Sequence, residues 1–358
     1  MKFALIGCGR ISPNHIEAAK SNGLEFVALC DIVEERMEDK IVKFDLPASV
    51  RRYQNYREML ATEKPDLAAV CTESGKHAAI ALDCIKAGCN LVIEKPMALS
   101  IADADDIISA AKEHGVKVSA CHQNRYNKSI VKIREAYDKK RFGRMFYGTA
   151  HIRWNRGWEY YARAKWRGTW EQDGGALMNQ CIHNIDLLRW MLGDEVDEVF
   201  AYTDKLNHDY IQAEDLGIAL VKFANGAYGI IEGTTDIYPS NLEETLYLFG
   251  EKGTVKAGGQ SVNVIEEWRF SDALDDPDVV KCEHNENPPN VYGFGHTPLY
   301  ADMIEAIRCG RQPFVTAEDG KRALELVLAI YQSAAEGKPV KLPLKDCATT
   351  DFIGRFGQ

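Results

Sequence analysis

Residues 2–12 read Lys2-Phe3-Ala4-Leu5-Ile6-Gly7-Cys8-Gly9-Arg10-Ile11-Ser12. The apolar run has the composition of a strand buried on both faces, and the residues after it open a helical stretch. In the pattern G-x-G-x-x-S, Gly7 permits a tight turn and Gly9 lets a pyrophosphate approach the backbone at the helix N-terminus. Asp31 ends the next apolar run, where a carboxylate hydrogen-bonds ribose hydroxyls and repels the extra phosphate of NADP. We therefore expect a dinucleotide site that prefers NAD to NADP.

The first 120 residues repeat this alternation of short apolar runs with amphipathic stretches. The pattern predicts helices over 76–88 and 101–114, each ending in glycine. The predicted strands are 2–6, 25–30, 67–71, 90–93 and 116–120. Strands that alternate with helices of this length indicate βαβ units, so we predict a doubly wound parallel sheet in a first domain over 1–122.

The rhythm changes after about residue 125, where longer segments alternate apolar and polar side chains. These segments are 145–153, 195–203, 216–224 and 227–235. Asn225-Gly226 separates the last two and is a strong hairpin signal. We predict helices over about 174–192, 298–309 and 317–336. The second domain, 123–358, is thus expected to be α/β with a large, mostly antiparallel open sheet, and the tail 339–343 is expected to return to the first domain.

Composition narrows the function classes. The 358 residues carry 43 basic and 53 acidic side chains, a net charge of −10, which argues against binding nucleic acid or an anionic membrane surface. The ten cysteines contain no C-x-x-C pair and no H-E-x-x-H occurs, so neither a disulfide framework nor a metal site is predicted. With no apolar run of 18 residues and no signal-peptide pattern, we expect a cytoplasmic protein.

Two stretches carry candidate chemistry. On a helix, Asn179, His183 and Asp186 would form one polar stripe, and buried polar groups need partners such as a hydroxyl-rich substrate. A satisfied core histidine is the equally weighted alternative. Lys95, in Glu94-Lys95-Pro96 after the fourth predicted strand, is expected to face the cofactor crevice, and a surface lysine is the alternative. His77 is interpreted as a helix cap or surface residue.

The glycine turn, Glu94-Lys95-Pro96, the segment Gly174–Asp186, Gly295-His296 and the segment 315–320 occur in an order that resembles the glucose–fructose oxidoreductase / inositol dehydrogenase (Gfo/Idh/MocA) family. The resemblance covers essentially the whole chain. It implies an N-terminal Rossmann domain, a C-terminal α/β domain whose open sheet often mediates oligomers, and oxidation or reduction of hydroxyl carbons with a nicotinamide cofactor.

The resemblance also implies roles for individual residues. Lys95 and His183 would be the catalytic pair, and Asn179 stands where many members carry an Asp, which makes the chain similar to members acting on sugars and UDP-linked uronic acids. The residues expected at the cofactor are Gly7, Gly9, Arg10, Ile11, Asp31, Thr72, Glu94 and Lys95. Those expected at the substrate are Lys95, Arg125, Tyr126, Arg156, Asn179, His183 and His296. Arg125 and Arg156 are predicted from their own neighbours, because an arginine beside aromatic residues can bind a carboxylate or phosphate, and packing or oligomer contacts are the alternative for these segments.

We therefore predict an NAD-dependent dehydrogenase that acts on a secondary hydroxyl of a sugar or nucleotide sugar. His titrates nearest neutral pH and a desolvated Lys can have a lowered pKa, so either can take the hydroxyl proton. The alternatives are a cyclitol or free-sugar dehydrogenase and a non-catalytic NAD-binding sensor. A sheet face left uncovered by the few helices of the second domain predicts a homodimer or homotetramer.

Overall fold

The computed structural model describes residues 1–288 and 290–357, which form two compact units. Unit 1 comprises Met1–His122 and His296–Lys321, and unit 2 comprises Gln123–Gly295 and residues 322–357. The main boundary between the units falls between His122 and Gln123. The later segment of unit 1, His296–Lys321, was not foreseen, because the only later residues expected to join the first domain were those of the tail 339–343.

Unit 1 contains a six-stranded parallel sheet, as predicted. Its strands are β1 Lys2–Ile6, β2 Glu25–Cys30, β3 Arg51–Tyr53, β4 Leu67–Val70, β5 Asn90–Ile93 and β6 Val118–Ala120. They lie in the order β3-β2-β1-β4-β5-β6. The order reverses direction between β1 and β4, which is the point at which open α/β sheets bind ligands beyond the strands' carboxyl ends.

Helices connect these strands. They are α1 Ser12–Ser21, α2 Glu34–Lys43, α3 Tyr56–Glu63, α4 His77–Lys86 and α5 Ile101–His114, joined by α10 His296–Cys309, which packs against α1. The bounds of α5 show why the sequence prediction succeeded there. The Ser100 side chain caps the helix by accepting from the Asp103 N–H, and Gly115 ends it with φ of 67°.

Unit 2 contains an eight-stranded sheet that is mostly antiparallel, which confirms the predicted fold class. Its strands are β7 Met145–Arg153, β8 Val196–Asp204, β9 Leu216–Phe223, β10 Tyr228–Thr234, β11 Glu243–Gly250, β12 Gly253–Gly258, β13 Val264–Phe270 and β14 Val340–Lys341. The order is β13-β12-β11-β7-β10-β9-β8-β14, and only the β7–β10 pair is parallel. The predicted hairpin turn at Asn225-Gly226 joins β9 to β10, with Gly226 at φ of 87°.

One face of this sheet is covered by helix. The helical segments are α6 Lys128–Asp138, α7 Trp158–Ala162, a π-helical turn Leu177–Cys181, α8 Ile182–Leu192, α9 Pro277–His284 and α11 Ala317–Glu336. Helix α8 packs on β7, β10 and β11, where Gly148 and Gly229 leave room for Leu188. None of the described helices has the length and apolar content needed to cross a bilayer.

The carboxy-terminal strand corrects one prediction. β14 pairs with β8 through Val340–Val199 and Lys341–Glu198, so this tail extends the sheet of unit 2 and does not return to unit 1. The segment that does belong to unit 1 is the one that contains α10. The sequence alone did not show which sheet the tail 339–343 joins, because a short apolar run flanked by prolines suits an edge strand of either sheet.

Candidate functional site

The glycine turn after β1 has the geometry that the motif predicts. Gly7 adopts φ of +96°, and a Cβ there would lie 2.5 Å from the Cys71 carbonyl oxygen, so only glycine fits. A Cβ on Gly9 would meet no atom within 4 Å, so its backbone borders open space. Ser12 Oγ donates to the Gly9 carbonyl at 2.7 Å, at the start of α1. This leaves an accessible backbone at a helix N-terminus, which fits a pyrophosphate.

Asp31 fixes the same turn as well as ending β2. Its Oδ2 accepts a hydrogen bond from the Cys8 N–H at 2.8 Å, and its Oδ1 accepts one from the Val33 N–H at 2.9 Å. Arg36 Nη1 lies 3.5 Å from Oδ1. The carboxylate is thus held in place by backbone donors, a structural duty that the sequence analysis missed. Beside this turn, Arg10 is exposed and Ile11 half-buried.

His77 joins the turns that follow β4 and β5. Its Nδ1 lies 2.8 Å from the Pro96 carbonyl oxygen and its Nε2 lies 3.1 Å from that of Thr72. The ring is 1% exposed, and burial lowers its pKa. The interpretation as a surface residue is therefore wrong, because His77 starts α4 but faces inward. It ties two predicted cofactor-contacting segments together.

Glu94 lies at the centre of a buried hydrogen-bonded network. His15 Nε2 donates to Glu94 Oε1 at 2.8 Å, and Tyr300 Oη donates to His15 Nδ1 at 2.7 Å. His296 Nε2 lies 3.7 Å from the same carboxylate oxygen. Burial alone would raise the pKa of Glu94, but the two histidines hold it well below its usual range. Glu94 therefore stays ionised inside the unit.

This network reaches the candidate catalytic lysine through the backbone. Glu94 Oε2 accepts from the Lys95 N–H at 3.2 Å, and the Lys95 side chain is half-buried. His15 is 79 residues from Glu94 and 285 from Tyr300, so no local spacing could have revealed the network. His296, predicted to bind substrate, is 3% exposed, and that burial disfavours the role.

In unit 2, two side chains stand out along the π-helical turn and α8. Of the sixteen residues from 177 to 192, only Asn179 and His183 are not buried. Asn179 Nδ2 donates to Asp173 Oδ1, and His183 Nε2 lies 3.5 Å from Gln123 Nε2. The helix therefore presents these two polar groups away from its otherwise buried surface. π-Helical turns are frequent at functional sites because they redirect side chains.

The third member of the predicted stripe, Asp186, has a different role. It is 0% exposed and accepts two hydrogen bonds from Arg125, both at 2.7 Å, and one from Arg189 at 3.1 Å. Arg125 also lies over the Trp190 ring at 4.6 Å. His183 and Asp186 both lie on α8, but Asp186 turns inward to its arginine partners, so the predicted stripe does not extend to its third member. Burial and this pairing disfavour a substrate role for Arg125.

Glu214 supports the start of the π-helical turn. Its Oε1 accepts from the Leu177 N–H and from Tyr331 Oη, each at 2.8 Å, and its carbonyl accepts from the Ala176 N–H at 2.9 Å. A Cβ on Gly175 would lie 1.7 Å from Oε2, so glycine is required there. Burial raises the pKa of Glu214 to about 8. A carboxyl group that is largely protonated at neutral pH thus lies beneath the turn.

The remaining predicted substrate residues lie in unit 2. Arg156 is half-buried, donates to Asn241 Oδ1 at 2.9 Å, and lies over the Trp154 ring at 4.5 Å. Tyr126 is half-buried at the end of a short 3₁₀ turn. Gln180, which donates to Tyr160 Oη at 3.0 Å, was not singled out from the sequence.

A parallel sheet with this glycine turn and a carboxylate ending its second strand defines a dinucleotide-binding domain of the Rossmann type. Comparison with known families agrees. Residues 1–122 match the NAD-binding Rossmann fold of the Gfo/Idh/MocA oxidoreductase family, and residues 134–342 match its C-terminal alpha/beta domain. The chain belongs to this family, and its amino-terminal domain is an NAD-binding domain, as the resemblance implied.

Individual relatives include enzymes with different substrates. The WlbA dehydrogenase of Bordetella pertussis, solved with NADH and UDP-GlcNAcA, is 39% identical, with a TM-score of 0.88 over 96% of this chain and 98% of that one. The WlbA dehydrogenase of Chromobacterium violaceum, solved with the same two ligands, is 36% identical, with a TM-score of 0.87 over 96% of each chain. A myo-inositol 2-dehydrogenase of Thermotoga maritima is 26% identical over 96% of this chain and 98% of its own length.

Proposed function

We propose that this protein oxidises a secondary hydroxyl of a UDP-linked uronic acid, using NAD as the hydride acceptor. The observation that carries the proposal is the exposure of only Asn179 and His183 along an otherwise buried helical segment. Both side chains are partly accessible and can exchange hydrogen bonds with the hydroxyl groups of a sugar ring. The two solved relatives with UDP-GlcNAcA support the choice of a nucleotide sugar.

The cofactor is expected to bind along the turn of unit 1. Gly9 would leave its backbone open to the pyrophosphate, Asp31 would accept from the ribose hydroxyls, and Thr72 would line the adjoining edge of the sheet. The nicotinamide supplies the hydride chemistry when it is bound. Glu94 would keep Lys95 in position through the Lys95 backbone N–H.

Lys95 and His183 are proposed as the acid–base pair for the hydroxyl proton. Oxidation of an alcohol needs a base for that proton while the hydride departs, and both side chains can serve. Asn179 would hold the substrate by a hydrogen bond, because its Oδ1 can accept while its Nδ2 donates to Asp173. Arg156, stacked on Trp154, offers a cation for an anionic group of the substrate.

The subunits are proposed to associate through the exposed face of the unit 2 sheet. Large apolar side chains line that face on neighbouring strands: Tyr147, Tyr202, Ile218, Leu220 and Tyr228. Contiguous exposed apolar patches of this kind mark association surfaces. A homodimer or homotetramer is therefore expected.

A panel of candidate substrates tests the proposed function directly. NADH formation is measured with UDP-GlcNAcA, UDP-GlcNAc and myo-inositol, each with NAD and with NADP. The proposal predicts turnover with UDP-GlcNAcA and little with UDP-GlcNAc, which lacks the carboxylate. Turnover of myo-inositol alone would favour the cyclitol alternative suggested by the Thermotoga relative. Binding of NAD without turnover of any member of the panel would favour a sensor.

A further inference from the structure

A second cluster of ligand-type side chains lies in unit 2, near the start of β9 and the end of β10. His208 belongs to the loop between β8 and β9, Asp215 directly precedes β9, and Asp236 follows β10. We call these three residues the loop cluster. The His208 and Asp215 side chains are 2% and 0% exposed, whereas that of Asp236 is 19% exposed and opens to solvent.

The ligand-type atoms of the loop cluster lie close together. His208 Nε2 lies 3.3 Å from Asp236 Oδ1, and His208 Nδ1 lies 3.6 Å from Asp215 Oδ2. Within the described part of the chain, His208 Nδ1 is buried and has no hydrogen-bond partner. One donor atom from each of the three residues can be chosen so that all lie within 4.8 Å of one another.

Asp215 is held rigidly where it stands. Its Oδ1 accepts from the Leu206 N–H at 2.8 Å, and its Oδ2 accepts from the N–H groups of Asn207 and His208, each at 2.9 Å. These three backbone donors fix the position of the Asp215 carboxylate beside Asp236. The ring of His208 is also confined, since it lies against the rings of Tyr161 and Tyr210.

The charges in the loop cluster are not balanced by a side-chain cation. Among residues 1–288 and 290–357, no lysine or arginine forms an ion pair with Asp215 or Asp236. The nearby Lys205 directs its Nζ to the Ile211 carbonyl oxygen at 3.1 Å. The two neighbouring carboxylates therefore have no side-chain cation beside them.

We propose that the loop cluster binds a divalent cation of the manganese or zinc type, with His208 Nε2 and a carboxylate oxygen of Asp236 as ligands. Two ligands at about 2.1 Å from one ion are separated by roughly 3.0–3.4 Å, which the Nε2–Oδ1 distance of 3.3 Å matches. A ligating histidine commonly gives its other ring N–H to a carboxylate, and Asp215 Oδ2 lies 3.6 Å from His208 Nδ1, so a small shift of the ring would form that hydrogen bond. The exposed edge of Asp236 supplies an entry path and room for water ligands.

The other group of ligand-type side chains does not fit an ion as well. His15, Glu94, Cys121 and His296 also lie close together in unit 1. Both ring nitrogens of His15 already have hydrogen-bond partners: Nδ1 lies 2.7 Å from Tyr300 Oη, and Nε2 lies 2.8 Å from Glu94 Oε1. Neither nitrogen is therefore available to bind an ion. That group is better described as a hydrogen-bonded network.

An ion in the loop cluster would fasten the segment that carries Glu214. Asp215 follows Glu214 directly, and Glu214 holds the start of the π-helical turn. The ion would join the β8–β9 loop to the end of β10 and so stiffen the support of that turn. A bound ion raises the stability of the folded state by RT ln(1 + [M]/Kd), which makes the site measurable without any activity assay.

The test uses Mn²⁺ and the full chain after removal of metals with a chelator. Manganese is the probe because thiolates such as those of the exposed Cys282 and Cys309 bind it poorly. Calorimetric titration and thermal unfolding are recorded for the wild type, Asp236→Asn and His208→Gln. His114→Gln, an exposed histidine on α5, is the matched control.

We expect one saturable site per chain, a raised melting temperature, and a loss of affinity of at least tenfold in Asp236→Asn and His208→Gln but not in His114→Gln. Circular dichroism of each variant confirms that the comparison concerns folded protein. Absence of saturable binding to the wild type, or equal binding by Asp236→Asn, would overturn the proposal. A melting temperature that follows pH but not Mn²⁺ would show that the carboxylates share a proton instead.

Discussion

Replacing Glu214 with glutamine is expected to remove a pH dependence from the stability of the protein. Glu214 is 0% exposed, and burial raises its pKa to about 8 from an ordinary value of 4.5. Gln is nearly isosteric, so its amide oxygen can still accept from the Leu177 N–H and from Tyr331 Oη. The substitution therefore changes the titration while preserving the support of the π-helical turn.

The sign and size of the effect follow from linkage. Between pH 4.5 and 8 the folded state keeps the Glu214 proton, whereas the unfolded state has released it. The free energy of unfolding of the wild type therefore falls as pH rises, by about 1.4 kcal/mol per pH unit from this group. Across the window the loss is on the order of 5 kcal/mol. Glu214→Gln lacks this contribution, so its relative stability improves as pH rises and levels off above pH 8.

The assay is denaturant unfolding at a series of pH values between 5 and 9. The quantity compared is the difference in free energy of unfolding between Glu214→Gln and the wild type, which cancels the titration of other groups. Glu113→Gln, an exposed position on α5, should show no such trend. Parallel pH curves for the wild type and Glu214→Gln would refute the assignment of a buried, protonated carboxyl group.

Three further outcomes are expected. His15→Asn should lower kcat by about tenfold and shift the pH profile of kcat with little change in KM, because His15 acts on Lys95 through Glu94. Unchanged kinetics would show that the Glu94 network is purely structural. Asp31→Ala should weaken NAD binding by about 10- to 100-fold in a fluorescence titration, since a charged hydrogen bond is lost; wild-type protein that binds NADP as tightly as NAD would contradict the assigned preference. Leu220→Asp on the exposed sheet face should reduce the light-scattering mass to that of one chain, and a wild type already of that mass would remove the proposed association.

The sequence predicts most of the fold because its signals are local. The runs 2–6, 25–30 and 90–93 are strands with the predicted bounds, and Gly115 ends α5 where expected. The three-residue β3 was missed because Arg51–Tyr53 is a charged edge strand with no apolar run. The parallel pairing of β7 with β10 was also missed, because it joins strands about 80 residues apart and leaves no periodic trace.

The candidate site was predicted less completely, and the failures have one cause. Lys95, His183 and Asn179 carry motif signals, and all three are partly accessible in the structure. The groups that hold them come from distant parts of the chain, as with Tyr300 for the Glu94 network and Glu214 for the π-helical turn.

The proposed mechanism depends on His183 taking part in proton transfer at the substrate hydroxyl. We would measure kcat for UDP-GlcNAcA oxidation by His183→Ala and titrate its NAD affinity independently. General acid–base groups contribute about 10²–10⁴-fold, so kcat should fall by that factor while the dissociation constant of NAD changes little, and the control His114→Ala should match the wild type. A near-normal kcat in His183→Ala would show that His183 is a packing residue and that it takes no part in proton transfer.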